Sequence, residues 1–372
     1  MSEREDLWRF IIEAHEKHDP GLIQYKIPGR WMWQFVLDPF IKEPSGLLPV
    51  WLAFKDNRIV GQQCSMAVEV TIGEKVYDGS WSCDTIVSEE CRGEGIASRL
   101  KQVYFEHYQV SIAIDMAPII RRIWEKAGGV EIAPVNNYCL FIRLDRALIR
   151  RYLIKRTLGR PRLNRAIKIA CKYFFFHVFI CTLANSLLST RKRFLKSLSK
   201  RSTSDIEEVF EFGKEIDELY ERTYGDYSAI VRRNAEFLNW RFFQNQQLEY
   251  RAFVSRKNDN VTGYVIIRRP HPAELNMGNI VDFLTARSDL ATLRDLLRHA
   301  ILHFGDSVVG LKCSSSVADH EKLLTSLGFI KTSRFRPIIV CKNSSLRKQI
   351  IGVRDDWYLT AADQDLDQIR PA

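Results

Sequence analysis

The chain has 372 residues, 46% of them hydrophobic and 11% aromatic. It is long for one domain and comfortable for two, and its apolar content excludes global disorder. The net charge is +10, but the stretch 146–201 carries 16 Lys and Arg and no Asp or Glu, which leaves −6 for the rest. A nucleic-acid-binding fold more often spreads its positive charge over a reading face, so this distribution argues against nucleic acid as a partner.

The N-terminus (residues 1–6) is charged and leads into no apolar run, so no secretory signal is read there. Eight cysteines are scattered without a C-x-x-C pair. That spacing suits free, mostly buried thiols in a reducing compartment, not a disulfide framework or a zinc site, so the expectation is a cytoplasmic protein with no metal. Trp31, Trp33 and Phe35 form an aromatic cluster that suits either an acceptor-site wall or a core.

Residues 51–61 read as an apolar strand, a turn at Asp56-Asn57 and a second strand. Residues 83–87 read as a strand ending in a polar turn, where Arg92-Gly93-Glu94-Gly95-Ile96-Ala97 opens an amphipathic helix with Ile96, Leu100, Val103, Tyr104 and His107 at helical spacing. Glycine has no Cβ and lets a diphosphate approach the backbone. First-turn amides have no intrahelical partner, and the helix dipole adds partial positive charge, so this turn is a candidate anion cradle. A strand follows at 110–114, and then a helix ending at Gly128-Gly129.

The stretch 84–100 resembles motif A of the GNAT (GCN5-related N-acetyltransferase) superfamily. Arg92, Gly95 and Ala97 fill the signature Gln/Arg-x-x-Gly-x-Gly/Ala, and the resemblance extends over about residues 45–145. It implies an α/β fold with a mixed sheet and acyl-CoA, in the first place acetyl-CoA, as co-substrate. The diphosphate would lie on Arg92, Gly93, Glu94, Gly95, Ile96 and Ala97, with the pantetheine beside Ile86 and Val87. A Rossmann reading fails for want of a third glycine, a ribose-binding acid and a βαβ context. Many GNAT enzymes take their general acid from a tyrosine near the end of the second helix; the matching position here is Trp124, and Tyr138 is the nearest spare phenol. Asp84 and Glu69, on the central strands, are the candidate bases.

Further along, the first half repeats at an offset of about 200. Residues 250–264 match the hairpin, 281–285 the strand and 323–329 the helix end, in the same order. The turn after 285 has no glycine, and Asp289 would repel a diphosphate. The chain therefore reads as two tandem GNAT-like domains, the second degenerate. The expected division is 1–145 for acyl-CoA binding, 146–204 as a basic apolar linker, 205–345 as the degenerate copy and 346–372 as a tail, solvated at 363–367. The apolar middle of the linker is short of a spanning helix and reads either as a membrane-interface element on anionic lipid or as a packed linker helix.

Such tandem arrangements resemble mycothiol synthase and the Fem-type peptidyl transferases. Residues 233–241 and 357–360 resemble bacterial GNAT proteins found with polysaccharide-biosynthesis functions, which implies an amino sugar or related small-molecule amine as acceptor. Two rival readings are a Fem-type transfer from aminoacyl-tRNA bound at 146–201, and a non-catalytic scaffold.

Overall fold

The computed structural model describes residues 3–16, 19–41, 47–143 and 205–369, together with Thr182, Asn185, Ser186 and Leu188. Apart from those four helical positions, the linker 146–204 and the readings made of it lie outside the described residues.

Three helices lead in: α1 (Glu3–Glu16), α2 (Pro20–Lys26) and α3 (Gly29–Phe35). Then follow β1 (Val50–Lys55), β2 (Arg58–Ile72), β3 (Lys75–Val87), α4 (Ile96–His107), β4 (Val110–Ala113), α5 (Pro118–Lys126), β5 (Val130–Glu131) and β6 (Val135–Phe141). The second half contains β7 (Asp205–Val209), α6 (Lys214–Thr223), β8 (Ala229–Val231), α7 (Ala235–Leu238), β9 (Tyr250–Lys257), β10 (Asn260–Arg268) and β11 (Met277–Thr285). It closes with α8 (Leu290–Phe304), β12 (Gly310–Ser315), α9 (Ala318–Ser326), β13 (Ile330–Phe335), β14 (Ile338–Cys341), α10 (Ser344–Val353) and β15 (Trp357–Tyr358).

The repeat seen in the sequence is a repeat of structure. Both hairpins turn on two residues at positive φ, Asp56-Asn57 (50° and 58°) and Asn258-Asp259 (50° and 63°), the backbone that suits the right-handed twist of paired strands. Gly128 and Gly328 close α5 and α9 at φ 82° and 91°. Two mixed sheets result, one ordered β15-β8-β2-β3-β4-β14-β5 with β1 on β2, the other β13-β6-β12-β11-β10-β9-β7.

The sheets exchange a strand. β6, from the first half, lies antiparallel between β12 and β13; β14, from the second half, lies antiparallel between β4 and β5. Each crossing follows a proline, Pro134 or Pro337, which has no amide to continue a ladder, and Ile132 N–H donates to the Pro337 carbonyl where the two crossings meet (3.1 Å). Trp31, Trp33 and Phe35 are core: Trp33 stacks on Trp240 at 5.3 Å, and each indole N–H donates to the other's carbonyl.

The expectation of a solvated tail at 363–367 is overturned. Asp363, Gln364 and Asp367 are buried because arginines from the second half wait for them: Arg233 pairs with Asp282 and Asp363, and Arg241 with Asp367, all fully buried. Unpaired, these carboxylates would not stay buried as anions.

Candidate active site

β3 and β4 run parallel only from Gly79 to Trp81, opposite Val110 to Ile112. Beyond that point β4 ends, while β3 continues to Val87 paired only with β2, so the sheet splays open at Ser82. β2 carries a register shift between Gln62 and Cys64, and opposite it Asp84 takes a φ of 45°, uncommon outside glycine. Ile86 and Val87 lie on the free edge of β3, opposite Gln62 and Gly61.

From Val87 the chain makes a short turn at 89–91 and enters α4. Cys91 is buried with Val60, Ile96 and Leu100, which anchors the turn against β2. Gly93 and Gly95 hold φ values of 92° and 79°, which glycine alone adopts without cost. A Cβ on either would meet nothing within 4 Å, so the space over the turn is open. Gly95 is the N-cap of α4, and among the described residues no side-chain cap hydrogen bond is made there. Its first-turn amides therefore face that space with the positive end of the helix dipole behind them. Arg92 stands at the rim, more than half exposed and only 3.4 Å from Glu89, a contact too weak to hold it from a ligand. Glu94 is turned aside by Lys55 at 2.9 Å. A groove of about 450 Å³ opens between α4 and α5, lined by Ser98, Gln102, Phe105, Ile123 and Lys126 and by Lys342 after β14. Arg92, Gly93, Glu94, Gly95, Ile96 and Ala97 thus form one open turn beside the splayed edge that carries Ile86 and Val87.

The three candidates for proton transfer are not brought together. Asp84 lies at the splay, but burial, which alone would raise its pKa, is outweighed by Lys26 and Arg30, and the carboxyl is held down at about 2. So strongly stabilised an anion is a weak base. Glu69 lies opposite Asp78, toward the far end of β2, and pairs with Arg232 at 2.8 Å. Tyr138 belongs to β6, so the strand exchange carries it into the second sheet, where its hydroxyl donates to Glu321 (3.3 Å) and burial pushes its pKa up. Trp124 is fully buried against Phe105 (4.8 Å), and its indole N–H has no hydrogen-bond partner among the described residues.

Two residues that sequence reasoning passed over meet at the mouth of the splay. Gln364 bridges the strands: its Nε2 donates to the Ser82 carbonyl (2.9 Å), and its Oε1 accepts from the Ile114 and Asp115 amides (2.7 and 3.3 Å). Lys101, fully buried on α4, donates to Ser82 Oγ and Gln63 Oε1. Lys101 lies outside the apolar spacing read along α4, so that spacing carried no signal for it. Nothing local marks Gln364.

The second unit fills the matching places with its own atoms. Asp289 caps α8 by accepting from the Thr292 amide and hydroxyl, where the first unit has an open glycine turn. Its splay, between β11 and β12, holds the C-terminal segment, with Ala362 N–H on the Val281 carbonyl and Thr360 bridged to Ser315.

Residues 34–128 match the family model described as an acetyltransferase (GNAT) domain. The chain is similar in fold to the GCN5-related N-acetyltransferase from Kribbella flavida (11% identity, TM-score 0.57, covering 95% of this chain and 72% of that one). It is also similar to the GCN5-related N-acetyltransferase from Anabaena variabilis (13%, TM-score 0.52, 90% and 73%). A third likeness is to Saccharomyces cerevisiae N-myristoyltransferase with bound myristoyl-CoA (12%, TM-score 0.53, 91% and 76%). At these identities the likeness is one of fold. No curated protein matches the sequence.

Proposed function

We propose that this chain, which carries a GNAT acetyltransferase domain over residues 34–128, is an acyl-CoA-dependent N-acyltransferase that transfers acetyl to an amine. The observation that carries the reading is the open glycine turn at the uncapped start of α4, beside a splayed strand edge. The amides of residues 92–97 would hold the diphosphate, with Arg92 adding a formal charge, and Ile86 and Val87 would flank the pantetheine. The acceptor nitrogen attacks the thioester carbonyl carbon. A C–N bond forms, the C–S bond breaks with its electron pair leaving on sulfur, nitrogen gives up a proton and sulfur takes one. Amides on the edge of β3 that β4 leaves free are the groups suited to stabilise the oxyanion.

The acceptor in this reading is an amino sugar or a related intermediate of surface polysaccharide synthesis, by the resemblance at 233–241 and 357–360. The basic stretch 146–201 would keep a cytoplasmic enzyme at the anionic inner face of the membrane, where lipid-linked glycans are assembled. Calorimetric titration of acetyl-CoA tests the cofactor. Micromolar-range binding is expected for the wild type and none for Gly95→Glu, whose side chain would meet both a positive φ and a diphosphate. Failure of the folded wild type to bind would overturn the reading.

A further inference from the structure

Lys101 sits on the inner face of α4 with 0% of its surface exposed. Its ammonium donates to two neutral groups, Gln63 Oε1 at 2.5 Å and Ser82 Oγ at 2.6 Å. Among the described residues no carboxylate pairs with it. The titratable groups facing it are the Cys64 thiol on β2, the Cys83 thiol on β3 and the Tyr104 phenol on α4 itself. Helix α5 contributes the Trp124 ring, whose centroid is 5.5 Å from Nζ. Burial without a counter-charge pushes the amine down to about 7, against a smaller upward pull from Cys83 and Cys64.

Its position is as telling as its burial. Ser82 is the first β3 residue beyond the β3–β4 pairing, so it stands at the mouth of the splay. Its hydroxyl accepts from Lys101 and, at 3.2 Å, from Gln63 Nε2. Gln63 in turn takes Thr85 Oγ1 at 2.7 Å, tying the network to the strand edge that runs to Ile86. The amine thus lies beside the indole of Trp124, the position at which the resemblance leads one to look for a tyrosine.

We propose that Lys101 supplies the proton taken up by the leaving thiolate, acting through the Ser82 hydroxyl. The inference rests on the acyl-CoA reading above. As the C–S bond breaks, sulfur takes the Ser82 hydroxyl proton, Ser82 takes one from Lys101, and the neutral amine regains one from water. The acceptor nitrogen releases its own proton to water, so the count closes. Lys101 is on this account a relay residue, and its signature is a pH effect that packing alone would not produce.

The reverse of the product-forming step needs no acceptor and can be read directly. CoA is titrated into the wild type, Lys101→Met and Ser82→Ala between pH 6 and 9, with thiolate followed by its ultraviolet absorbance and desulfo-CoA as the control probe. In the wild type the bound thiol is expected to ionise about one to two pH units below free CoA, because its proton passes to Lys101. Both variants are expected to return that ionisation to the free value, with desulfo-CoA affinity changed less than about threefold. Turnover should fall by about 10²-fold or more in both, the usual scale for removing an acid catalyst. A wild-type thiol that ionises as in free CoA, or a shift that survives both substitutions, overturns the role of Lys101 and leaves the acyl-CoA reading intact. Failure of the wild type to bind CoA or desulfo-CoA overturns both. A variant that does not fold is replaced as witness by the other, since Ser82→Ala leaves the lysine in place.

Discussion

At the scale of single residues, charge inside the first sheet decides what each polar side chain can do. Asp84 is the clearest case. Its pKa of about 2 lies below that of a carboxylate in an unfolded chain, about 3.9, so the unfolded state binds the proton more tightly. The stability it contributes is complete above about pH 4 and is lost as pH falls from 4 toward 2. Asp84→Asn should therefore cost about 3 kcal/mol at pH 7, since it leaves Lys26 and Arg30 short of a counter-ion. The gap from wild type should shrink below pH 4; urea denaturation at a series of pH values measures both. Helix α4 shows how closely a residue-level pattern can be read. Spacing selected Ile96, Leu100 and Tyr104, which are buried, but also Val103 and His107, which are exposed, while Lys101 and Phe105 complete the buried face. A lysine does not announce an inward position, because only the strands beneath the helix decide which side of the stripe is covered.

At the scale of elements, the exchange of β6 and β14 binds the two halves together. β4 pairs with β3 on one side and with β14 on the other, so the first sheet has no continuous path to β5 without a strand from the second half. A fragment of residues 1–145 would leave that gap open and strip the apolar face of β14 from Gly129, against whose position Ile338 packs. It is expected to show no cooperative unfolding alone and to regain it when residues 205–372 are supplied in trans, as followed by circular dichroism during thermal melting. The partners of β6 and β14 were not legible in the sequence, since an edge strand bonds whichever complementary ladder the crossing brings to it.

At the scale of the whole molecule, one segment reaches both splays, filling the second and touching the mouth of the first. After β15 pairs with β8, Thr360 bridges to β12, Ala362 binds β11, and Gln364 reaches across β3 and the end of β4. Buried arginines hold this segment, and their removal should be severe. Arg233→Met leaves Asp282 and Asp363 buried, adjacent and without their cation, and should cost about 3–5 kcal/mol, read as a fall in urea midpoint with unchanged slope.

The duplication, the two hairpins, the helix-ending glycines and the open glycine turn at 92–97 were all determined by the sequence alone. Each depends on a local backbone demand, either a positive φ or a period of apolar residues, that few residue types meet. The strand exchange, the burial of Asp363, Gln364 and Asp367, the pairing of Asp84 with Lys26 and the meeting of Lys101 with Ser82 were decided only by tertiary structure. Those features join residues dozens to hundreds of positions apart, and a charged side chain carries no mark of the partner that will bury it.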